Sequence, residues 1–232
     1  MIELDAPLLP EQDLVLKIDT EQTTRPAPDE VDTPPITGRL RFGGPRATPL
    51  TNTSPLTAGD DALRAYLASQ AGDLYLLAAA ATFVTRDSDP PFVESTVSIH
   101  LTCPIGRPQV LSMAPMRVQH PVERTRSFRL GPELNLAEVT AGLGSLTAGR
   151  DYTEAQPFLT ALGLLTSEPG WHFRPTLSAG IDGSHPLMMI VRVPPDQPMS
   201  ANITVSAVVR RRRLLWYRAE PISPVVIVQP AI

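Results

Sequence analysis

Twenty-six prolines in 232 residues constrain this chain more than any other feature. Proline has no N–H to give a strand ladder and fixes its own φ, so it gathers at strand ends, edges and turns and breaks helix interiors. A chain punctuated this often folds from many short elements, and long helices are excluded. Apolar alternation shows what the elements are. Leu14, Leu16 and Ile18 fall on one face at period two, the signature of a half-buried strand within Asp13–Asp19. Further strands are expected over 36–42, 74–85, 92–103, 109–112, 116–119, 124–130, 171–175, 187–193, 202–210, 214–218 and 222–228, each bounded by turn residues. One helix is expected from about Asp60, where two acids complement the amino-terminal dipole, to a left-handed stop at Gly72. Leu134–Val139 and Phe158–Leu165 fit a short helix or a strand equally well. The expected class is mainly β, an immunoglobulin-like or related β-sandwich with one or two short helices, either one elaborate domain or two in tandem.

Two tandem domains would place a β-rich unit over 1–130, with a Pro-rich loop at 23–35, and a second sandwich over 131–232, breaking near Gly131. An internal similarity favours that division. Thr96-Val97-Ser98-Ile99-His100-Leu101 resembles Thr204-Val205-Ser206-Ala207-Val208-Val209, and Ala114–Pro121 resembles Ser223–Pro230. Thr96 precedes Gln119 by 23 positions and Thr204 precedes Gln229 by 25, close enough for a duplication expected to superpose as equivalent strand pairs.

Composition narrows the function classes. Apolar residues make up 42% and charged residues 19%, enough to build a packed core without disulfides or metal. Cys103 is the single cysteine, which excludes an intrachain disulfide. The amino terminus carries acids and no apolar run of the secretory type, and no stretch approaches the roughly 20 apolar residues of a spanning helix, so the expected location is cytoplasmic. The matches to the glycosylation pattern at Asn52 and Asn202 are then coincidental. Nineteen arginines against the lone Lys17, with abundant alanine, suit GC-rich, bacterial-like coding. A net charge of −4 argues against a surface that traps nucleic acid, so sequence-specific nucleic-acid binding is not expected.

Signatures of the common chemistries do not occur. No GxSxG elbow, GxGxxG or GxxxxGK[ST] loop is present, and Ser145 and Ser184 have the flanks of turn residues. Four histidines and one cysteine leave little from which to build a metal site. His100 and Cys103, three apart along a strand, would point to opposite faces. Asp182 and His185 flank a turn and could meet His172, but a loop aspartate accepting backbone N–H groups explains the pattern. His120 or His172 could activate Cys103, against the commoner reading of a small buried hydrophobe. Neither cofactor nor metal is expected.

The basic run Arg210-Arg211-Arg212-Arg213, followed by Trp216 and Tyr217, breaks its surroundings. Ile203, Val205, Ala207 and Val209 alternate toward a core, so continuing the strand would turn Arg211 and Arg213 inward, which is prohibitive unless they are paired. The strand is therefore expected to leave the sheet, bulge or turn near Arg210, exposing co-facing guanidinium groups. Arg210, Arg211, Arg212, Arg213 and Trp216 form the expected anion- or partner-binding site. The best functional expectation is a non-enzymatic protein-interaction or assembly module that binds another protein or itself. One alternative is a binder of an anionic ligand or surface through the arginines. The other is an enzyme whose site is assembled from residues distant in sequence.

Overall fold

A computed structural model describes residues 9–18, 36–51, 61–69, 71–86, 89–127, 149–213 and 216–229. Strands dominate, and two antiparallel sheets face each other as a sandwich. The first sheet contains β1 (Glu11–Asp13), β2 (Leu40–Pro49), β3 (Asp73–Phe83), β9 (Gly183–Val193) and β5 (Gln109–Ala114), in that order. The second runs β11 (Trp216–Gln229), β10 (Ser200–Arg213), β4 (Phe92–Thr102), β8 (Gly170–Phe173), β7 (Gly149–Leu162) and β6 (Arg117–Ser127). A single described helix, α1 (Asp61–Ser69), stands where the acidic start predicts it. Gly72 just beyond it has φ +121°, and a Cβ there would lie 2.4 Å from the Val193 carbonyl oxygen, so the stop requires glycine.

One core fills the space between the sheets. Val97, Ile99 and Leu101 of β4 and Ile203, Val205, Ala207 and Val209 of β10 enter it from one side. Leu187, Met189, Val191 and Val193 of β9 meet them from the other, each set at the period of two that a half-buried strand dictates. Trp171 and Phe173 of β8 are fully buried at its centre. The indole N–H of Trp171 donates to the Pro115 carbonyl at 3.1 Å, so its one polar atom is satisfied.

The ambiguous segment at 158–165 is strand: β7 runs through Pro157 and Phe158 and ends at Leu162, and Gly163, at φ +77°, makes the turn into β8. The stretch expected as one strand over 13–19 instead spans the two sheets. β1 pairs with the β2 edge, the Leu14 N–H donates to the Leu40 carbonyl, and Ile18 bridges to Ile222 of β11. Leu14 and Leu16 drop into the core between these attachments.

Each sheet draws strands from both sides of residue 131. That boundary, Leu134–Val139 and the whole 23–35 loop lie outside the described residues. The two similar segments pair with each other, Thr204 opposite Ser98 and Ser206 opposite Thr96. Their companions sit differently, β11 beside β10 but β6 separated from β4 by β8 and β7. The segments are therefore not equivalent strand pairs.

Candidate interaction site

The basic run lies where β10 outlasts its neighbour. β4 supports β10 as far as Val209 opposite Phe92, with the Arg210 N–H donating to the Pro91 carbonyl at 2.9 Å. Beyond that point, among the described residues, β10 continues beside β11 alone. Arg210 pairs with Ala219, Arg211 with Arg218, Arg212 with Tyr217 and Arg213 with Trp216. Of the expected alternatives near Arg210, a register irregularity is present between Val208 and Val209 against β4, while β10 stays paired with β11 through Arg213. The neighbour ends and the strand does not, which produces a two-stranded ribbon projecting past the sandwich.

Continuation of the strand demands the pairing that inward alternation requires. Glu220 supplies it. This carboxylate is 2% exposed on β11 opposite Val209, and its Oε2 lies 3.7 Å from Arg211 Nη1. Arg211 is half-buried, Arg210 is exposed, and Tyr217 is 70% exposed. The side chains of Arg212, Arg213, Trp216 and Arg218 lie outside the described residues, and these four are placed by strand register alone. Register puts Arg210, Arg212 and Tyr217 at positions of one parity, and Arg211, Arg213, Trp216 and Arg218 at positions of the other.

A second arginine, given no role by the sequence reading, anchors the base of the ribbon. Arg39 is 1% exposed at the start of β2. Its Nε–H donates to the Val84 carbonyl at 3.2 Å, one Nη donates to the Pro90 carbonyl at 2.5 Å, and its guanidinium lies 4.6 Å from the centre of the Phe92 ring. Asp89 stands 3.5 Å away. Burial lowers the Arg39 pKa below its ordinary value; Asp89 opposes that shift and Arg86 adds to it. Arg39 thereby fixes the 84–91 connection that ends in Pro91, the residue bonded to Arg210.

The other sequence candidates separate. Asp182 accepts the Thr85 backbone N–H at 2.9 Å, the role expected of a loop aspartate. His185 Nε2 is 2.9 Å from the Asp182 carbonyl, and His172 is engaged with Glu94 at 2.9 Å. Among the described residues no group of three His, Cys, Asp or Glu side chains is arranged to hold a metal. His120 packs on Phe158, and the Cys103 thiol donates to the Ile105 carbonyl at 3.2 Å. Ser184, expected in a turn, lies within β9 opposite Thr82. His100 is exposed near the end of β4, which ends at Thr102, whereas Cys103 just beyond it packs against the core. Both line a cleft of about 340 Å³ with Arg107, Ser167 and Glu168, in which His100 Nδ1 is 3.4 Å from Glu168.

No family model matches the chain, and no curated protein does. Among solved structures, the Clostridium perfringens NetB toxin in its membrane-inserted form aligns over 95% of this chain and 94% of its own. Its TM-score is 0.36 at 5% identity, too low to bear on function. No described helix is long and apolar enough to cross a membrane.

Proposed function

We propose that this protein is a non-enzymatic protein-interaction or assembly module that makes contact through the β10–β11 ribbon. One observation supports the reading above others: four consecutive arginine positions on a strand that has outrun its β4 neighbour. A projecting ribbon offers cations to a partner while the sandwich behind it stays intact. Arg211 is committed in part to Glu220, whereas Arg210 is exposed. Exposure of Arg210 also suits a second reading, an anionic ligand or surface bound by the same cations.

Affinity capture from the native host separates the two. The native protein should retain a protein partner in stoichiometric amount, and the Arg210→Gln/Arg212→Gln/Arg213→Gln variant, with Arg211 kept, should lose it while remaining folded. Retention of anionic small molecules or lipid in place of protein supports the second reading. Equal capture by both forms removes the ribbon from either.

A further inference from the structure

The cleft that holds His100 and Cys103 lies away from the ribbon, beside Thr102, which pairs with Ser200 at the opposite end of β10. Two connections build it. Residues 163–169, between β7 and β8, bond to both sheets: the Leu165 N–H donates to the Val110 carbonyl of β5 at 2.9 Å, and the Leu101 N–H of β4 donates to the Ser167 carbonyl at 2.9 Å. Residues 103–108 join β4 to β5 beside them. Gly106, at φ +82°, sits tight against Pro194, whose Cγ would be 2.8 Å from an added Cβ, and Pro108 is buried. Both connections are anchored, so the cleft of about 340 Å³ is formed before any ligand arrives.

Its charged groups are of opposite sign and do not pair with each other. Arg107, from the 103–108 connection, is exposed and makes no hydrogen bond or ion pair among the described residues. Glu168, from the 163–169 connection, is exposed too, with its Oε1 3.4 Å from His100 Nδ1. A second cleft bordered by Arg107, of about 390 Å³ with Gln109, Leu165 and Thr166, contains no acid. Opposite charges therefore line only the first. We infer that this first cleft binds a free α-amino acid, its carboxylate on Arg107 and its ammonium on Glu168. A guanidinium fork takes a carboxylate by paired hydrogen bonds, and a carboxylate takes an ammonium. A phosphate or a dicarboxylate brings excess negative charge against Glu168, and a diamine brings positive charge against Arg107. An α-amino acid carries one charge of each sign a few atoms apart, and the cleft is at the small end of the range for ligand pockets. The site shares no residue with the ribbon, so the two contacts stand or fall separately.

Isothermal titration calorimetry of the full chain with each standard L-amino acid in turn tests this, and at least one should bind with one-to-one stoichiometry. The N-acetyl and carboxamide derivatives of that amino acid each lack one charge, and each should bind the native protein about tenfold or more weakly. Variants assign the charges to their residues. With Arg107→Gln the amino acid and its carboxamide should bind alike, and with Glu168→Gln the amino acid and its N-acetyl derivative should bind alike. Circular dichroism confirms that both variants are folded. A variant that weakens every ligand equally, or none, overturns the assignment. So does the absence of binding by any amino acid. An N-acetyl derivative that binds as well as its parent makes this an anion site, and a carboxamide that does so makes it a cation site; either result overturns the inference. The derivative comparison needs only the native chain, so it decides the matter even where a variant does not fold.

Discussion

Glu220 and Arg211 carry the cost of running a charged sequence along a core-facing strand. Removing one partner of a largely buried pair leaves the other poorly compensated, although Arg211 keeps some solvent access and that screening reduces the cost. Arg211→Gln should lower stability by about 1–2 kcal/mol, Arg210→Gln by less than about 0.5 kcal/mol, and adding Glu220→Gln should restore most of the Arg211 loss. Urea unfolding of the single and double variants measures the coupling. Arg39 is the sharper case because it is fully buried. Arg39→Ala should cost about 2–4 kcal/mol, and Arg39→Lys should not rescue it, since an ammonium cannot reach the Val84 and Pro90 carbonyls in the same planar geometry. A third expectation concerns His185, whose ring lies 5.2 Å from Phe158 and 5.4 Å from Phe173, joining β9 to the opposite sheet. Burial holds its imidazole below the ordinary value of 6.5; the Asp182 carbonyl and carboxylate pull it up, and His120 pushes it further down. A base held low in the folded state takes its proton first in the unfolded chain. Stability is therefore undiminished above about pH 6.5 and falls as pH drops below it, until the folded imidazole itself protonates. Between about pH 7.5 and about pH 5.5 the unfolding midpoint should fall more for the native protein than for His185→Phe; equal falls would exclude the residue as the source. The arginine cluster was legible from sequence because it interrupts an alternation. Arg39 was not, because a lone arginine before a strand carries no pattern until the 84–91 connection folds against it.

Single elements were legible to the extent that their signals are local. Runs bounded by turn residues located β3, β4 and β9, alternation located β10, and the acidic start located α1. β7 was ambiguous because an apolar run around Phe158 has no decisive period; Gly163, which would weaken a helix interior, instead makes the turn at the strand end. A Cβ at Gly163 would lie 2.2 Å from the Glu168 carbonyl oxygen, so Gly163→Ala should destabilise by more than about 1 kcal/mol, read as a lower thermal midpoint. β11 was read as two strands, over 214–218 and 222–228, with Pro221 between them. One strand results because the register shifts between Val205 and Ala207 of β10, which absorbs the extra residue on β11. The irregularity expected near Arg210 falls between Val208 and Val209, and what sequence alone does not hold is that β10 runs on past it. A strand stays extended as long as one neighbour remains, and β11 follows it to Arg213.

Molecule-wide, the sandwich class was legible and the strand order was not. Pairings such as β3 with β9 join residues about a hundred positions apart, and nothing in either strand names its partner. The same non-local order separates His172 from His185, holds His100 and Cys103 on one cleft, and leaves the arginine ribbon projecting from one end of the second sheet. As the seat of a protein partner, the ribbon and the cleft imply different proteins, a module that binds through the ribbon or an enzyme whose site is assembled from distant residues. Amide hydrogen exchange, comparing the free protein with the complex recovered from its host, tests the choice most directly. The account predicts new protection across 210–213 and 216–221, with exchange around His100, Cys103 and Glu168 unchanged. Protection centred on that cleft, with the ribbon exchanging as in the free protein, would contradict it.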